Sequence, residues 1–148
     1  MDPINASDTW RWYGYENSWV NIDGYMVQSV SGGGHNGGGV FINSEDHARF
    51  GLLYLNNGFW NGKRIISEEW IKKSVTSSST NPEYGYMWWI NHEDGEDYAT
   101  SDWKNVPTNV YYGAGFGGNY IVVIPDENMV VVARWLGREK IGTFIRMI

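Results

Sequence analysis

The sequence predicts a mixed α/β fold in which an antiparallel sheet lies between helices. Three observations carry this. Tyr120-Ile-Val-Val-Ile124 and Met129-Val-Val-Val-Ala133 are joined by Pro125-Asp-Glu-Asn128, a link short enough to force the two strands antiparallel. Both runs are apolar throughout instead of alternating, so both faces of their sheet need cover. Helical patterns elsewhere in the chain offer that cover. They are few for two faces, which points to part of a larger α/β fold.

Residues 1–30 alternate polar and aromatic with no sustained period, and read as irregular loop with one short hairpin around Asp23-Gly24. Ser31-Gly-Gly-Gly-His-Asn-Gly-Gly-Gly39 is a loop whose glycines are costly to order, so it is either mobile or passes very close to something. Asn43 or Ser44 caps a first helix, with Glu45 and Asp46 well placed in its opening turn. Ala48, Leu52 and Leu55 set its apolar face, and Phe50, Leu53 and Tyr54 widen that face nearly all round, which predicts a buried helix ending at Asn57-Gly58. Asn61-Gly62 marks a tight turn between Phe59-Trp60 and Arg64-Ile65-Ile66. Ser67 caps a second helix from Glu68 to about Val75, acids first and Lys72-Lys73 last, as the helix dipole favours. A Ser/Thr linker follows, then a strand-like aromatic stretch from Tyr84 to Ile90, then a polar acidic loop to about Asn109. After the apolar hairpin, Ile141, Phe144, Ile145 and Ile148 recur at helical spacing up to the chain end.

Length and composition bound the function. With 148 residues the natural expectation is one domain, and 42% hydrophobic residues can build a core. No apolar run approaches the ~18 residues of a membrane helix. The net charge of −6 and the absence of any basic cluster argue against nucleic acid as a partner. With no Cys in the chain, disulfides, cysteine nucleophiles and thiolate metal sites are excluded. Met1-Asp-Pro-Ile-Asn5 has neither the basic start nor the apolar stretch of a signal peptide.

Several strings suggest chemistry. The loop around His35 lacks the Gly-Lys-Ser/Thr ending of a phosphate loop and reads as a structural loop beside a pocket, with His35 as a candidate wall. His47 reads as structural. His92-Glu-Asp-Gly-Glu-Asp97 lacks the ligand register of a calcium loop and reads as a solvated acidic turn. Ser101-Asp-Trp-Lys104 matches Ser-x-x-Lys, where lysine activates a serine nucleophile, but no apolar helical stripe surrounds it; Tyr15-Glu-Asn17 matches Tyr-x-Asn. In Tyr111-Tyr-Gly-Ala-Gly-Phe-Gly-Gly-Asn-Tyr120, a Gly-x-Gly ahead of a buried strand lets a ligand lie against the backbone as an added strand, with N–H groups available to an oxyanion. The same pattern also suits a simple glycine-rich bulge.

Read in series, the strings resemble the C-terminal part of the β-lactamase-related serine hydrolases, which include class C β-lactamases, penicillin-binding-protein-like esterases and 6-aminohexanoate-oligomer hydrolases. The resemblance runs through Ser7-Asp-Thr-Trp-Arg-Trp12, Ser31 to Ile42, Asp46-His-Ala-Arg-Phe-Gly51, Leu55-Asn-Asn-Gly58, Trp60 to Trp70, Tyr84-Gly-Tyr-Met-Trp-Trp89 and Gly113 to Pro125. It implies an α/β sandwich with an antiparallel sheet flanked by helices. It also implies hydrolysis of a small-molecule ester or amide through an acyl-enzyme, with no cofactor. In that family the nucleophile motif precedes Tyr-x-Asn, and a Lys-Thr-Gly-like triplet follows. Here the look-alikes stand in the wrong order, so both are decoys, and residues 1–148 are expected to be a partial domain lacking its N-terminal half and silent alone. Gly113-Ala114-Gly115 takes the triplet position without its Lys or His, which suits the esterase and amidase side of the family. Phe116 would give the oxyanion N–H, and Tyr112, His35 and Trp12 are candidate pocket walls. An exported parent is also implied. The competing expectation is a non-enzymatic module whose nine Trp line a carbohydrate or aromatic-ligand groove.

Overall fold

A computed structural model describes residues 1–13, 19–28, 39–91, 103 and 106–148. A short 3-10 turn at Asp2–Ile4 leads to β1 (Arg11–Tyr13), which pairs antiparallel with β4 (Gly39–Phe41). Sequence reading missed this pairing because the partners lie far apart in the chain and carry no alternating pattern. The hairpin at Asp23-Gly24 is present as β2 (Trp19–Ile22) against β3 (Tyr25–Gln28), and Asp23 takes the positive φ that an Asp-Gly turn needs.

Asn43 is the cap of α1 (Ser44–Leu55), its side chain accepting the Asp46 N–H at 2.7 Å. Ser67 caps α2 (Glu68–Ser74) in the same way through the Trp70 N–H. Between them, β5 (Phe59–Trp60) and β6 (Lys63–Arg64) form the hairpin expected from Asn61-Gly62. The buried side of α1 corrects the sequence reading. Asp46, Gly51, Leu53 and Tyr54 face inward, whereas Leu52 is 39% exposed. Gly51 decides this orientation: a Cβ there would lie 2.6 Å from Val130 Cγ1 and 2.9 Å from Ile121 Cδ1, so the helix meets the sheet through its smallest residue.

The main sheet has the order β10-β9-β8-β7, antiparallel throughout: β7 (Trp89–Ile90), β8 (Tyr111–Gly115), β9 (Asn119–Ile124) and β10 (Met129–Ala133). The apolar hairpin is β9–β10. The glycine-rich stretch before it, expected either as a bulge or as a surface for a ligand, is itself the strand β8. The strand-like Tyr84–Ile90 shrinks to β7 because Met87 takes a φ of 69° and turns the chain back, leaving only a bridge from Tyr84 to Trp89.

Both sheet faces are covered, as the unbroken apolar strands require. On one face Tyr54 and Ile71 pack with Trp88, Tyr111, Ile121 and Val123. On the other, Ile141 and Ile145 of α3 (Arg138–Ile145) pack with Trp103, Tyr112, Tyr120, Val122 and Ile124. The third helix stops at Ile145 instead of reaching the chain end, and Ile148 is exposed. Among the described residues no helix is long and apolar enough to cross a membrane.

Candidate functional site

Among the described residues, β8 has a partner along its whole length on one side only. β9 pairs with it from Tyr111 to Gly115, but β7 reaches only Tyr111 and Tyr112. The turn at Met87 carries the chain away before Trp88 could extend β7 alongside Gly113. Gly113-Ala114-Gly115 therefore forms an open sheet edge among the described residues.

The hydrogen bonds of the ladder fix the backbone direction along that edge. The Asn91 N–H donates to the Val110 carbonyl at 2.9 Å across β7–β8. By the alternation of an antiparallel ladder, the backbone groups of Tyr112 and Ala114 also point away from β9. Tyr112 meets Trp89; among the described residues Ala114 has no strand opposite. At the end of β8 the Gly115 carbonyl accepts the Gly118 N–H at 3.3 Å, turned into the hairpin. A trans peptide sends the N–H of the same plane, that of Phe116, the opposite way, toward the open edge. The Asn119 side-chain amide donates to the Phe116 carbonyl at 2.7 Å and fixes the next peptide plane as well. The turn needs glycine: Gly117 and Gly118 have φ of 75° and 78°.

Cavities flank this edge on both sides, and Gly115 lines each. One, of about 520 Å³, lies on the α3 face between Trp89, Trp103, Tyr112, Ala114 and Trp135. The other, of about 460 Å³, lies between β4, the start of α1 and the β8–β9 turn, with Phe41, His47, Gly113, Phe116, Asn119 and Arg134 among its walls. Behind it, Asp46 is fully buried. Its carboxylate accepts the Ser7 N–H at 3.0 and 3.1 Å, the Ser7 hydroxyl at 2.5 Å, the Asn43 amide at 2.9 Å and Arg49 Nη1 at 2.6 Å. The Ser7 hydroxyl bond leads in holding this carboxyl below its ordinary pKa, against the opposing effect of burial. The neighbouring His47 is pushed down to about 4 by burial and by the charge of Arg134, so it is neutral at pH 7.

The sequence-derived residues fall as follows. Gly113, Ala114, Gly115 and Phe116 sit together on the open edge, and the Phe116 ring is 99% exposed. Tyr112 is 1% exposed and stacks on Trp103 at 4.3 Å, so its ring belongs to the core beside the α3-face cavity. Trp12 pairs with Val40 in the β1–β4 ladder. His35, Tyr15-Glu-Asn17, and Ser101 and Lys104 of the Ser-x-x-Lys look-alike lie outside the described residues. Three wall residues were missed: His47 was read as structural, and Asn119 and Arg134 were not singled out. Only the Gly-x-Gly-Phe-Gly-Gly-Asn run hinted at Asn119, and nothing in the pattern marked Arg134.

No family model matches the chain. An uncharacterized protein of Alkalihalophilus pseudofirmus is 24% identical over 114 residues, which cover 73% of this chain and 32% of that protein. The chain therefore spans about a third of the length of this curated relative. Among solved structures, a Bacillus anthracis protein provisionally named a 6-aminohexanoate-dimer hydrolase is similar, with a TM-score of 0.48 and 26% identity, over 64% of this chain and 23% of that one.

Proposed function

We propose that this chain provides the acyl-binding strand and an oxyanion donor of a serine hydrolase that cleaves small esters or amides through an acyl-enzyme. The observation that carries the reading is the open edge of β8, where Ala114 and Phe116 direct backbone groups outward with no strand opposite among the described residues. An extended acyl chain laid along Gly113–Gly115 would pair with Ala114 as an added strand. Its carbonyl oxygen, turning tetrahedral when the serine attacks, would receive the Phe116 N–H. Such a donor is preorganised by the hairpin and contributes about 2.7–4 kcal/mol to the transition state in comparable sites. The order of the motifs supports placing the nucleophile outside these residues, so they form a partial domain of the β-lactamase-related type, silent alone because no acyl bond can form without a nucleophile.

The test is a fluorophosphonate probe read by intact mass. The 148-residue chain should give no adduct, and a longer protein that joins it to a Ser-x-x-Lys segment should label stoichiometrically. In that longer protein Phe116→Pro, which removes the N–H, should lower kcat about 10²–10³-fold with little change in KM. An adduct on Ser101 of the short chain would overturn the assignment.

The cavity on the α3 face favours a second reading, a binding module for carbohydrate or aromatic ligands, because Trp89, Trp103, Tyr112 and Trp135 line it. Saturable quenching of tryptophan fluorescence by oligosaccharides would support this reading, and a flat response would remove it.

A further inference from the structure

On the hydrolase reading Phe116 offers its N–H to the oxyanion, yet its ring is 99% exposed, so side-chain packing does not hold it in place. Its backbone is held instead from the two neighbouring peptide planes. On one side the Gly118 N–H reaches the Gly115 carbonyl at 3.3 Å, beyond the usual range of such a bond. On the other, the Asn119 side-chain amide donates to the Phe116 carbonyl at 2.7 Å and is the stronger tether.

Asn119 can donate there in one orientation only, because a flipped amide would set Oδ1 against the Phe116 carbonyl. Arg134, the first residue after β10, fixes the choice. Its Nη1 donates to Asn119 Oδ1 at 3.3 Å, and a guanidinium has no acceptor to offer a flipped NH₂ group. The same guanidinium is anchored away from the turn. Nη2 donates to the Ile42 carbonyl at 3.1 Å and the Asn43 carbonyl at 3.4 Å, and Nε to Ser44 Oγ at 3.4 Å. Most of these bonds are long, but all leave one rigid planar fork, which joins the chain after β4 and the cap of α1 to the β8–β9 turn.

The next two residues grip the same turn. The Leu136 N–H donates to the Gly118 carbonyl at 3.1 Å. The Trp135 ring lies against Gly117, where a Cβ would stand 2.6 Å from its Cζ3. Trp135 takes this place with a φ of 56°, a left-handed backbone that is costly for a bulky residue and persists only where its surroundings enforce it.

We propose that Arg134 is a positioning residue for the Phe116 N–H, acting through the orientation of the Asn119 amide. The relay of hydrogen bonds stands by itself; its effect on turnover rests on the hydrolase reading of the β8 edge.

The first readout is NMR of the 148-residue chain. The coupling across the hydrogen bond from Asn119 Nδ2 to the Phe116 carbonyl carbon should be measurable in the unaltered chain. Arg134→Met should abolish it and shift the Phe116 and Gly117 amides, and Arg134→Lys should keep part of it. The second readout separates positioning from stability. Asn119→Asp keeps an acceptor for Arg134 and adds a charge to it, but sets an oxygen against the Phe116 carbonyl. Its Tm should stay close to that of the unaltered chain. In the longer protein its kcat should fall about ten- to a hundredfold with KM little changed, a smaller loss than for Phe116→Pro. No coupling in the unaltered chain, or Phe116 resonances that ignore Arg134→Met, would overturn the proposal. So would an unchanged kcat in Asn119→Asp, or a Tm that falls in step with kcat. Should Arg134→Met not fold by circular dichroism, the coupling in the unaltered chain and Asn119→Asp decide. A longer protein that takes no fluorophosphonate label removes the hydrolase reading, and the NMR readouts then decide the relay alone. A labelled protein whose kcat ignores Asn119→Asp keeps the hydrolase reading and loses the positioning role.

Discussion

Asp46 and His47 are neighbours in α1 with opposite requirements. The carboxylate is held ionised by its donors, and the imidazole is held neutral by burial and by Arg134. Both make the fold weaker in acid, in different windows. His47 has a folded pKa of about 4 against an unfolded value of 6.5, so the unfolded chain takes up the proton first, and stability declines as pH falls from 6.5 toward 4. Asp46 has a folded pKa below its unfolded value, so its contribution is complete above roughly pH 4 and is lost as pH falls further, through the folded pKa. Urea unfolding at pH 7 and pH 5 separates the two: His47→Leu should lose less stability across that interval than the unaltered chain. Asp46→Asn should already have a lower midpoint at pH 7, because an amide presents fewer acceptors to Ser7, Asn43 and Arg49. An unchanged midpoint would mean that the cluster around Ser7 is not formed in solution.

At the scale of elements, two close approaches fix the site. α1 meets the sheet at Gly51, where Gly51→Ala would gain roughly 1 kcal/mol of helix propensity. It would also push into Val130 and Ile121, and overpacking of this kind costs about 1–3 kcal/mol. The clash should win because Val130 Cγ1, on a stiff branched side chain at 2.6 Å, cannot swing away; calorimetry should show a lower Tm. The β8–β9 turn depends on Gly118, with a φ of 78° and the Leu136 carbonyl oxygen 2.1 Å from where a Cβ would stand. Gly118→Ala should destabilise by at least about 1–3 kcal/mol and shift the Phe116 amide resonance. These elements also show what the sequence could and could not reveal. Caps, Asn-Gly turns and the unbroken apolar hairpin act through neighbours in the chain, so Asn43, Ser67 and β9–β10 were legible. β8 was half legible: its glycines announced a special backbone, but pairing with both β7 and β9 is a tertiary fact. The orientation of α1 was misread because its contact residue is a glycine, which a search for apolar stripes passes over. Arg134 was invisible because its place in the cavity wall is a tertiary fact, which no spacing encodes.

For the whole molecule, the decisive feature is unequal cover of one sheet. Among the described residues, α1 and α2 share one face, while the eight-residue α3 is the helix on the other, alongside Trp103 and Val106. A short helix is not stable by itself in water, so α3 depends on docking Ile141 and Ile145 against Tyr120, Val122 and Ile124. The dependence is mutual, since undocking would expose the apolar centre of the sheet. Ile141 is 1% exposed, and Ile141→Ala should cost about 2–5 kcal/mol, the range for truncating a buried aliphatic side chain. If α3 belongs to the same cooperative unit as the sheet, that loss appears as a lower urea midpoint with an unchanged slope, and near-ultraviolet and far-ultraviolet signals fall together. A separate early transition would instead make α3 a locally unfolding cover. The cavity beside Trp135 and Ala114 would then open with it, and the β8 edge would be framed from the α1 side alone.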